Sequence, residues 1–159
     1  MKSPPKDLTP LIREHPFAWD FDDRIVGELE AVAVEVAFRP GEFLLREGRE
    51  TTASYLIRKG VVVLEIHDPG RGAVPIQSVG SGDVLGWSWI LAPYHCHFDA
   101  RAIEPVEALA LDGATLRAKC EADHELGYQV TRRLLFVVQQ RLERVRMQLL
   151  DLYARTGPA

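Results

Sequence analysis

Residues 80–102 read GSGDVLGWSWILAPYHCHFDARA, and the rest of the chain is interpreted from this stretch outward. Three glycines and an aspartate come before an apolar run, a pattern that predicts a tight turn leading into a short helix. The first amides of such a helix carry the positive end of its dipole and suit a phosphate or a carboxylate. A purely structural hairpin explains the glycines equally well. The stretch therefore predicts either an anion-binding turn or a structural turn.

Short apolar segments separated by turn residues lie on both sides of this stretch. From Val32 to Phe38 apolar residues recur with a period of two, which predicts a half-buried strand. The same pattern predicts strands at 42–46, 54–58, 61–67, 73–79, 84–85, 97–102 and 106–111. About eight short strands with turn signals between them indicate a mainly β fold, a double-stranded β-helix jelly-roll barrel.

Both ends of the chain are predicted to be helical. Residues 1–16 are interpreted as a tail with a short helix, because prolines in the first ten residues oppose regular hydrogen bonding. Asp22 or Asp23 is expected to cap a helix over 24–31, and Phe17 and Trp19 to pack this helical lid on the core. Asp112 is expected to cap a further helix in which Leu116 faces the barrel.

A long helix is predicted over residues 121–155. One set of apolar residues recurs along it at alternating spacings of three and four: Leu135, Val138, Leu142, Val145, Leu149 and Leu152. A second set, Val130, Leu134 and Val137, is available for packing on the barrel. Two stripes suit a helix buried on one side by its own domain and on the other by a partner. They predict a parallel homodimer, with packing along the barrel as the alternative for the first set.

Three glycine-bearing segments carry a resemblance to a known family: Arg39–Gly48, Ser54–Leu64 and Gly82–Gly86. They resemble the two hairpins and the phosphate-binding cassette of the cyclic nucleotide-binding domain family, which includes the Crp/Fnr-like sensor domains. The similarity extends from about residue 17 to 153. It implies a sensor barrel over 17–120 that signals through a helix at 121–155, with a cyclic nucleotide as the possible ligand and no certain cofactor. Regulators of this family place a helix-turn-helix domain after that helix, and this sequence contains none.

The cassette departs from the family pattern at both of its polar anchors. In the family, a glutamate after the second glycine binds the ribose and an arginine binds the cyclic phosphate. Here Trp87 stands at the first position and Cys96, with His97 beside it, at about the second. Losing a charge-assisted pair to phosphate costs about 1.5–3 kcal/mol. The resemblance therefore predicts a small anion or an atypical nucleotide as the ligand, with these cassette residues as its contacts: Gly82, Asp83, Val84, Leu85, Gly86, Trp87, Ser88, Trp89, His97 and Arg101.

Two features of the cassette leave alternatives open. Trp87 and Trp89 either form a stacking wall for a planar ligand or fill the space that a nucleotide would occupy, which would make the chain an occluded interaction module. His95 and His97 share one face of a strand and are candidate metal or haem ligands, with His67 and Cys96 as weaker candidates. A metal or haem sensor is therefore a further alternative.

Composition limits the remaining function classes. The 159 residues suffice for one domain, and a net charge of −4 argues against a nucleic-acid-binding surface. No signal peptide, membrane-spanning run or catalytic motif is present in the sequence, and two isolated cysteines predict reduced thiols. We therefore expect a cytoplasmic, non-enzymatic regulatory protein. The arginines near the C-terminus are interpreted as a solvated helix flank, with an acidic protein partner as the alternative: Arg132, Arg133, Arg141, Arg144 and Arg146.

Overall fold

The computed structural model describes residues 6–157, which form two packed β-sheets with helices at both ends. The strands are β1 (Ala33–Phe38), β2 (Phe43–Leu45), β3 (Ala53–Lys59), β4 (Val62–Asp68), β5 (Gly72–Val79), β6 (Val84–Leu85), β7 (Asp99–Ala102) and β8 (Val106–Asp112). The helices are α1 (Thr9–Glu14), α2 (Asp23–Glu30), α3 (Gly113–Ala122) and α4 (His124–Thr156), with 3₁₀ turns at Pro16–Ala18 and Ser88–Ile90. All eight predicted strands are present.

Each sheet has four antiparallel strands. The order is β1-β8-β3-β6 in the first sheet and β2-β7-β4-β5 in the second. The mainly β jelly-roll prediction is confirmed. The predicted barrel is not closed, however, because no ladder within residues 6–157 joins a strand of one sheet to a strand of the other. The architecture is an open two-sheet jelly roll.

The first sheet is covered on both faces, which explains the nearly continuous apolar runs of β3 and β8. Leu56 and Leu109 face the helices, whereas the neighbouring Ile57 and Ala108 face the second sheet. Successive side chains of a strand point to opposite faces, so one strand contributes to two cores. The molecule therefore has three layers: helices, first sheet and second sheet.

The N-terminal helices follow the predicted capping, with one correction, at Trp19. Asp22 is the N-cap of α2, and its side chain accepts a hydrogen bond from the Ile25 amide. Phe17 is buried as expected, but Trp19 is 83% exposed and does not pack the lid. Helix α1 lies within residues 1–16, the segment predicted as a tail with a short helix. The part of that tail at residues 1–5 lies outside the described residues.

The predicted C-terminal helix begins three residues later than expected. Asp112 caps α3 through the Thr115 amide, and Leu116 is fully buried. Asp123 has an extended backbone, ends α3 and caps α4 by accepting from the Leu126 amide. The helix proper therefore starts at His124 and runs for 33 residues.

Helix α4 carries the two stripes that its sequence predicts. Val130 and Leu134 are buried in the helix-side core, and Val137 packs against it. On the other stripe, Leu135 is 67% exposed, Leu149 51% and Leu152 60%. One stripe therefore holds the helix on its own domain, and the other is left open in the single chain. None of the helices described is long and apolar enough to cross a membrane.

Candidate functional site

The cassette begins with a turn whose glycines have left-handed backbone conformations. Gly82 has φ of 87° and Gly86 of 85°, and β6 lies between them, paired with β3. A Cβ atom on Gly86 would lie 2.7 Å from the carbonyl oxygen of Ala53. Only glycine satisfies both requirements, since other residues rarely adopt this φ and would collide with the backbone. The two glycines hold the cassette turn close to the first sheet.

The predicted short helix of the cassette is a single 3₁₀ turn, Ser88–Ile90. Three residues align too few peptide groups to build a helix dipole comparable to that of an α-helix. The anion-binding capacity predicted from amides alone is therefore smaller than the sequence pattern implied.

The two tryptophans of the cassette have different environments. Trp89 is 1% exposed and belongs to the helix-side core. Gly113 is required beneath it, since a Cβ there would lie 2.6 Å from the Cβ of Trp89. Trp87 is half-buried, and the guanidinium carbon of Arg141 lies 5.1 Å from its ring centroid. Trp89 therefore fills the core, and only Trp87 has ring surface near the outside of the cassette.

The remainder of the cassette is fastened to the hairpin that precedes β3. The Gly48 amide donates to the Cys96 carbonyl at 2.9 Å, and the Cys96 amide donates to the Arg49 carbonyl at 2.8 Å. The Cys96 thiol lies 3.0 Å from the Thr51 hydroxyl, and both residues are buried. On the other side, the Arg117 guanidinium donates to the Trp89 carbonyl. The cassette loop is therefore bound both to the segment before β3 and to α3.

The space between the two sheets beside this loop is filled by apolar side chains. Leu45, Leu85 and Cys96 are buried in this core, and Tyr55 and Phe98 pack against it from the edge. Burial raises the pKa of the Tyr55 hydroxyl. The Cys96 thiol, which the resemblance predicts at about the position of the family's phosphate-binding arginine, thus lies in a mostly apolar interior.

The other predicted site residues are Arg101 and the histidines. Arg101 forms a two-pronged ion pair with the buried Glu65 of β4, at 2.5 and 3.0 Å from one carboxylate oxygen. His95, His97 and His67 are exposed, so the alternation of the His95-Cys96-His97 segment puts its imidazoles outside and its thiol inside. Within residues 6–157 no group of three or more His, Cys, Asp or Glu side chains is placed to hold a metal ion.

A buried histidine, His15, contacts the same carbonyl group as the cassette turn. His15 is 4% exposed, and its Nε2 lies 3.1 Å from the Ile57 carbonyl oxygen while its Nδ1 accepts from the Phe17 amide at 3.1 Å. The Gly82 amide donates to the same Ile57 carbonyl. Burial lowers the pKa of His15 below its ordinary value, so the neutral ring that these bonds require is favoured.

Helix α4 reaches the cassette through two arginines. Arg141 is 8% exposed, and its Nη2 donates to the Val84 carbonyl at 2.8 Å. Arg144 pairs with the Asp83 carboxylate at 3.0 Å. The interpretation of these arginines as a solvated flank is therefore wrong for Arg141. Val130, Leu134, Val137 and Arg141 follow one another at steps of four, three and four residues, and this spacing, which puts Arg141 on the core stripe, was the available signal.

Most of the sequence that forms the two sheets matches a known family. A sequence profile of the cyclic nucleotide-binding domain matches residues 35–123, more than half of the chain. The chain belongs to the cyclic nucleotide-binding domain family. Domains of this family are typically regulatory rather than catalytic. No curated protein matches the chain in sequence.

Solved structures agree with this membership. A protein of Geobacter metallireducens GS-15 assigned as cyclic nucleotide-binding is 25% identical with a TM-score of 0.78, over 86% of this chain and 99% of that one. A cyclic nucleotide-binding domain from Methylobacillus flagellatus KT is 22% identical with a TM-score of 0.75, over 91% and 81%. A mutant regulatory subunit of a cAMP-independent protein kinase A from Trypanosoma brucei, bound to cAMP, is 23% identical with a TM-score of 0.72, over 89% and 50%. The last two support the fold alone.

Proposed function

We propose that this protein is a non-enzymatic regulatory sensor module that binds a small anion or an atypical nucleotide at its cassette and signals through α4. One observation carries the ligand part of the proposal: the glycine turn of the family is kept, but Trp87 and Cys96 stand where the glutamate and arginine anchors belong. The backbone of a cassette is thus combined with side chains that do not suit ordinary cAMP.

The signalling part of the proposal rests on the contacts between α4 and the cassette. Arg141 and Arg144 bind the Val84 carbonyl and the Asp83 carboxylate, both in the segment that enters β6. A ligand changes the position of a helix only if it interacts differently with the helix in its two positions. A ligand that breaks these contacts at the cassette turn would provide such a difference.

The partner in this proposal is a second copy of the chain. The exposed stripe of α4 continues the pattern of the buried one along most of the helix, and an apolar stripe of this length is unusual on the surface of a monomer. Parallel pairing would bury Leu135, Val138, Leu142, Val145, Leu149 and Leu152. In such a homodimer the two α4 helices would be in contact, so a movement of one helix could be transmitted to the cassette of the other chain.

A thermal-shift assay with cAMP and cGMP tests the ligand proposal. The native protein is expected not to shift at millimolar nucleotide, because both anchors are replaced. A Trp87→Glu, Cys96→Arg variant is expected to shift, since a ligand at a hundred times its dissociation constant stabilises a fold by about 2.7 kcal/mol. The matched control is Trp87→Glu, His97→Arg, in which the new arginine stands at an exposed position instead of a buried one.

The outcomes separate the candidate functions. A shift of the native protein with cAMP would contradict the proposed ligand class. The second candidate is an occluded interaction module, which the apolar filling beside Cys96 favours. It predicts that no variant responds to nucleotide, including the one with both anchors restored. The metal or haem alternative, based on His95 and His97, predicts visible absorbance or bound metal in the purified protein.

A further inference from the structure

The guanidinium of Arg141 is a buried charge without a matching carboxylate. Its Nη2 donates to the Val84 carbonyl, but its Nη1 is buried and has no hydrogen-bond partner. Within residues 6–157 no carboxylate oxygen lies within 4.0 Å of this guanidinium. An arginine remains protonated in proteins, and buried charges are normally paired because desolvation of an isolated ion is costly. An anion would supply a partner for the Nη1 of Arg141.

The surroundings of Arg141 carry an excess positive charge. A small cavity of about 20 Å³ lies between the Gly82–Val84 turn and α4, and Arg141, Arg144 and Asp83 line it. The Asp83 carboxylate is already occupied, since Oδ1 faces Arg144 at 3.0 Å and Oδ2 accepts from the Gly80 amide at 2.9 Å. Two arginines and one aspartate leave one positive charge unmatched.

We propose that Arg141 is the anion-recognising residue of this sensor, and that a phosphate or carboxylate group of the ligand pairs with its guanidinium between the cassette turn and α4. The inference rests on the proposed function, because it takes the cassette to be a ligand site. It moves the anion anchor from the cassette loop, where Cys96 stands, to the long helix. The ring of Trp87 lies beside this anchor, with its centroid 5.1 Å from the guanidinium carbon, so a ligand with a planar ring would meet an aromatic side chain there.

The size of the cavity couples anion binding to the position of α4. A volume of about 20 Å³ accommodates one water-sized group, whereas a phosphate group is several times larger. The anion enters only if α4 separates from the Gly82–Val84 turn. Its binding then breaks or lengthens the contact between Arg141 and the Val84 carbonyl, so that the same event fills the site and moves the helix.

A titration with inorganic phosphate, followed by tryptophan fluorescence, tests the assignment. Chloride at matched ionic strength corrects for screening, and cAMP is titrated in parallel. The test variant is Arg141→Met and the control is Arg146→Met. Arg146 lies on the same helix, is exposed and pairs with Glu143, so the control removes a charge away from the cavity. Arg141→Lys keeps the charge without the planar pair of donors, so it tests the same site if Arg141→Met does not fold.

The native protein is expected to bind phosphate saturably, and Arg146→Met to bind it within about twofold of native. Arg141→Met should bind at least about tenfold more weakly, the loss of a charge-assisted hydrogen bond, and Arg141→Lys should be intermediate. Equal phosphate affinity of Arg141→Met and native protein, or no saturable binding to native protein, overturns the assignment. If cAMP binds both proteins equally, the regulatory sensor stands, but Arg141 is misassigned and the ligand class proposed above is contradicted. If phosphate binds through Arg141 without any change in α4, the anion site stands and the signalling function fails.

Discussion

Two adjacent leucines of α4 test the account of this helix with one matched pair of substitutions. Leu134 is 4% exposed and packs in the helix-side core, whereas Leu135 is 67% exposed on the opposite stripe. Truncating a buried leucine to alanine costs about 2.7–5 kcal/mol. At about 2–4 °C per kcal/mol for a chain of this size, Leu134→Ala should lower the melting temperature by about 5–20 °C.

Leu135→Ala should leave the stability of the monomer nearly unchanged, within about 0.5 kcal/mol, because the side chain is exposed in the single chain. Its effect is expected on association. A symmetric dimer buries two copies of Leu135 at about 1.5 kcal/mol each, so the dissociation constant should rise roughly a hundredfold. Sedimentation equilibrium measures the association, and thermal unfolding at low protein concentration measures the stability.

The reasoning is refuted if the two alanine variants lose similar melting temperature at low protein concentration, since the buried and exposed stripes would then not differ. It is also refuted if the native chain is monomeric at high micromolar concentration. In that case the stripe from Leu135 to Leu152 has another occupant.

Three further predictions concern the cassette and its supports. Gly86→Ala should destabilise the fold by well over the about 1–2 kcal/mol that a left-handed alanine costs, because its Cβ would lie 2.7 Å from the Ala53 carbonyl oxygen. Gly48 also has a positive φ but has open space around it, so Gly48→Ala should cost only that conformational amount. Equal melting temperatures of the two variants would contradict this prediction. Burial lowers the pKa of His15 below 6.5, so on acidification His15 is protonated in the unfolded chain before it is protonated in the folded one. The free energy of unfolding should therefore fall as the pH decreases through about 6.5. His15→Asn should weaken this pH dependence, and an unchanged pH profile in the variant would contradict the role of His15. Burial raises the pKa of the Cys120 thiol to about 11, so its alkylation by iodoacetamide at pH 8 should be roughly a hundredfold slower in the native protein than in urea, as peptide mapping would show.

The strands and caps were predictable because their signals are local. Period-two alternation and turn residues located every strand, and Asp22 and Asp112 cap the helices that their positions indicate. The two stripes of α4 were predictable from spacing, since a helix brings residues three and four apart onto one face. The closure of the barrel was not, because strand patterns do not state which edges pair.

The partners and the burial of the side chains at the site depend on tertiary contacts that the residue type alone does not predict. Arg101 was predicted as a ligand contact from its position after the cassette, but Glu65 on the neighbouring strand pairs with it. Trp19 was predicted to be buried on hydrophobicity alone and is exposed. Arg141 was read as a solvated charge, although its spacing on the core stripe indicated burial. That interpretation followed the charge of Arg141, which predicts exposure, although the periodicity of the helix correctly predicts burial.

Amide hydrogen exchange of the native protein, with and without inorganic phosphate, tests the central claim most directly. The claim is that an anion at the cassette acts on α4 through Arg141. It predicts that phosphate changes exchange both in residues 82–91 and in the turn of α4 from Val137 to Arg144, and leaves the β4–β5 hairpin unchanged. A change confined to the cassette, or no change in either segment, would contradict the coupling of anion binding to the helix.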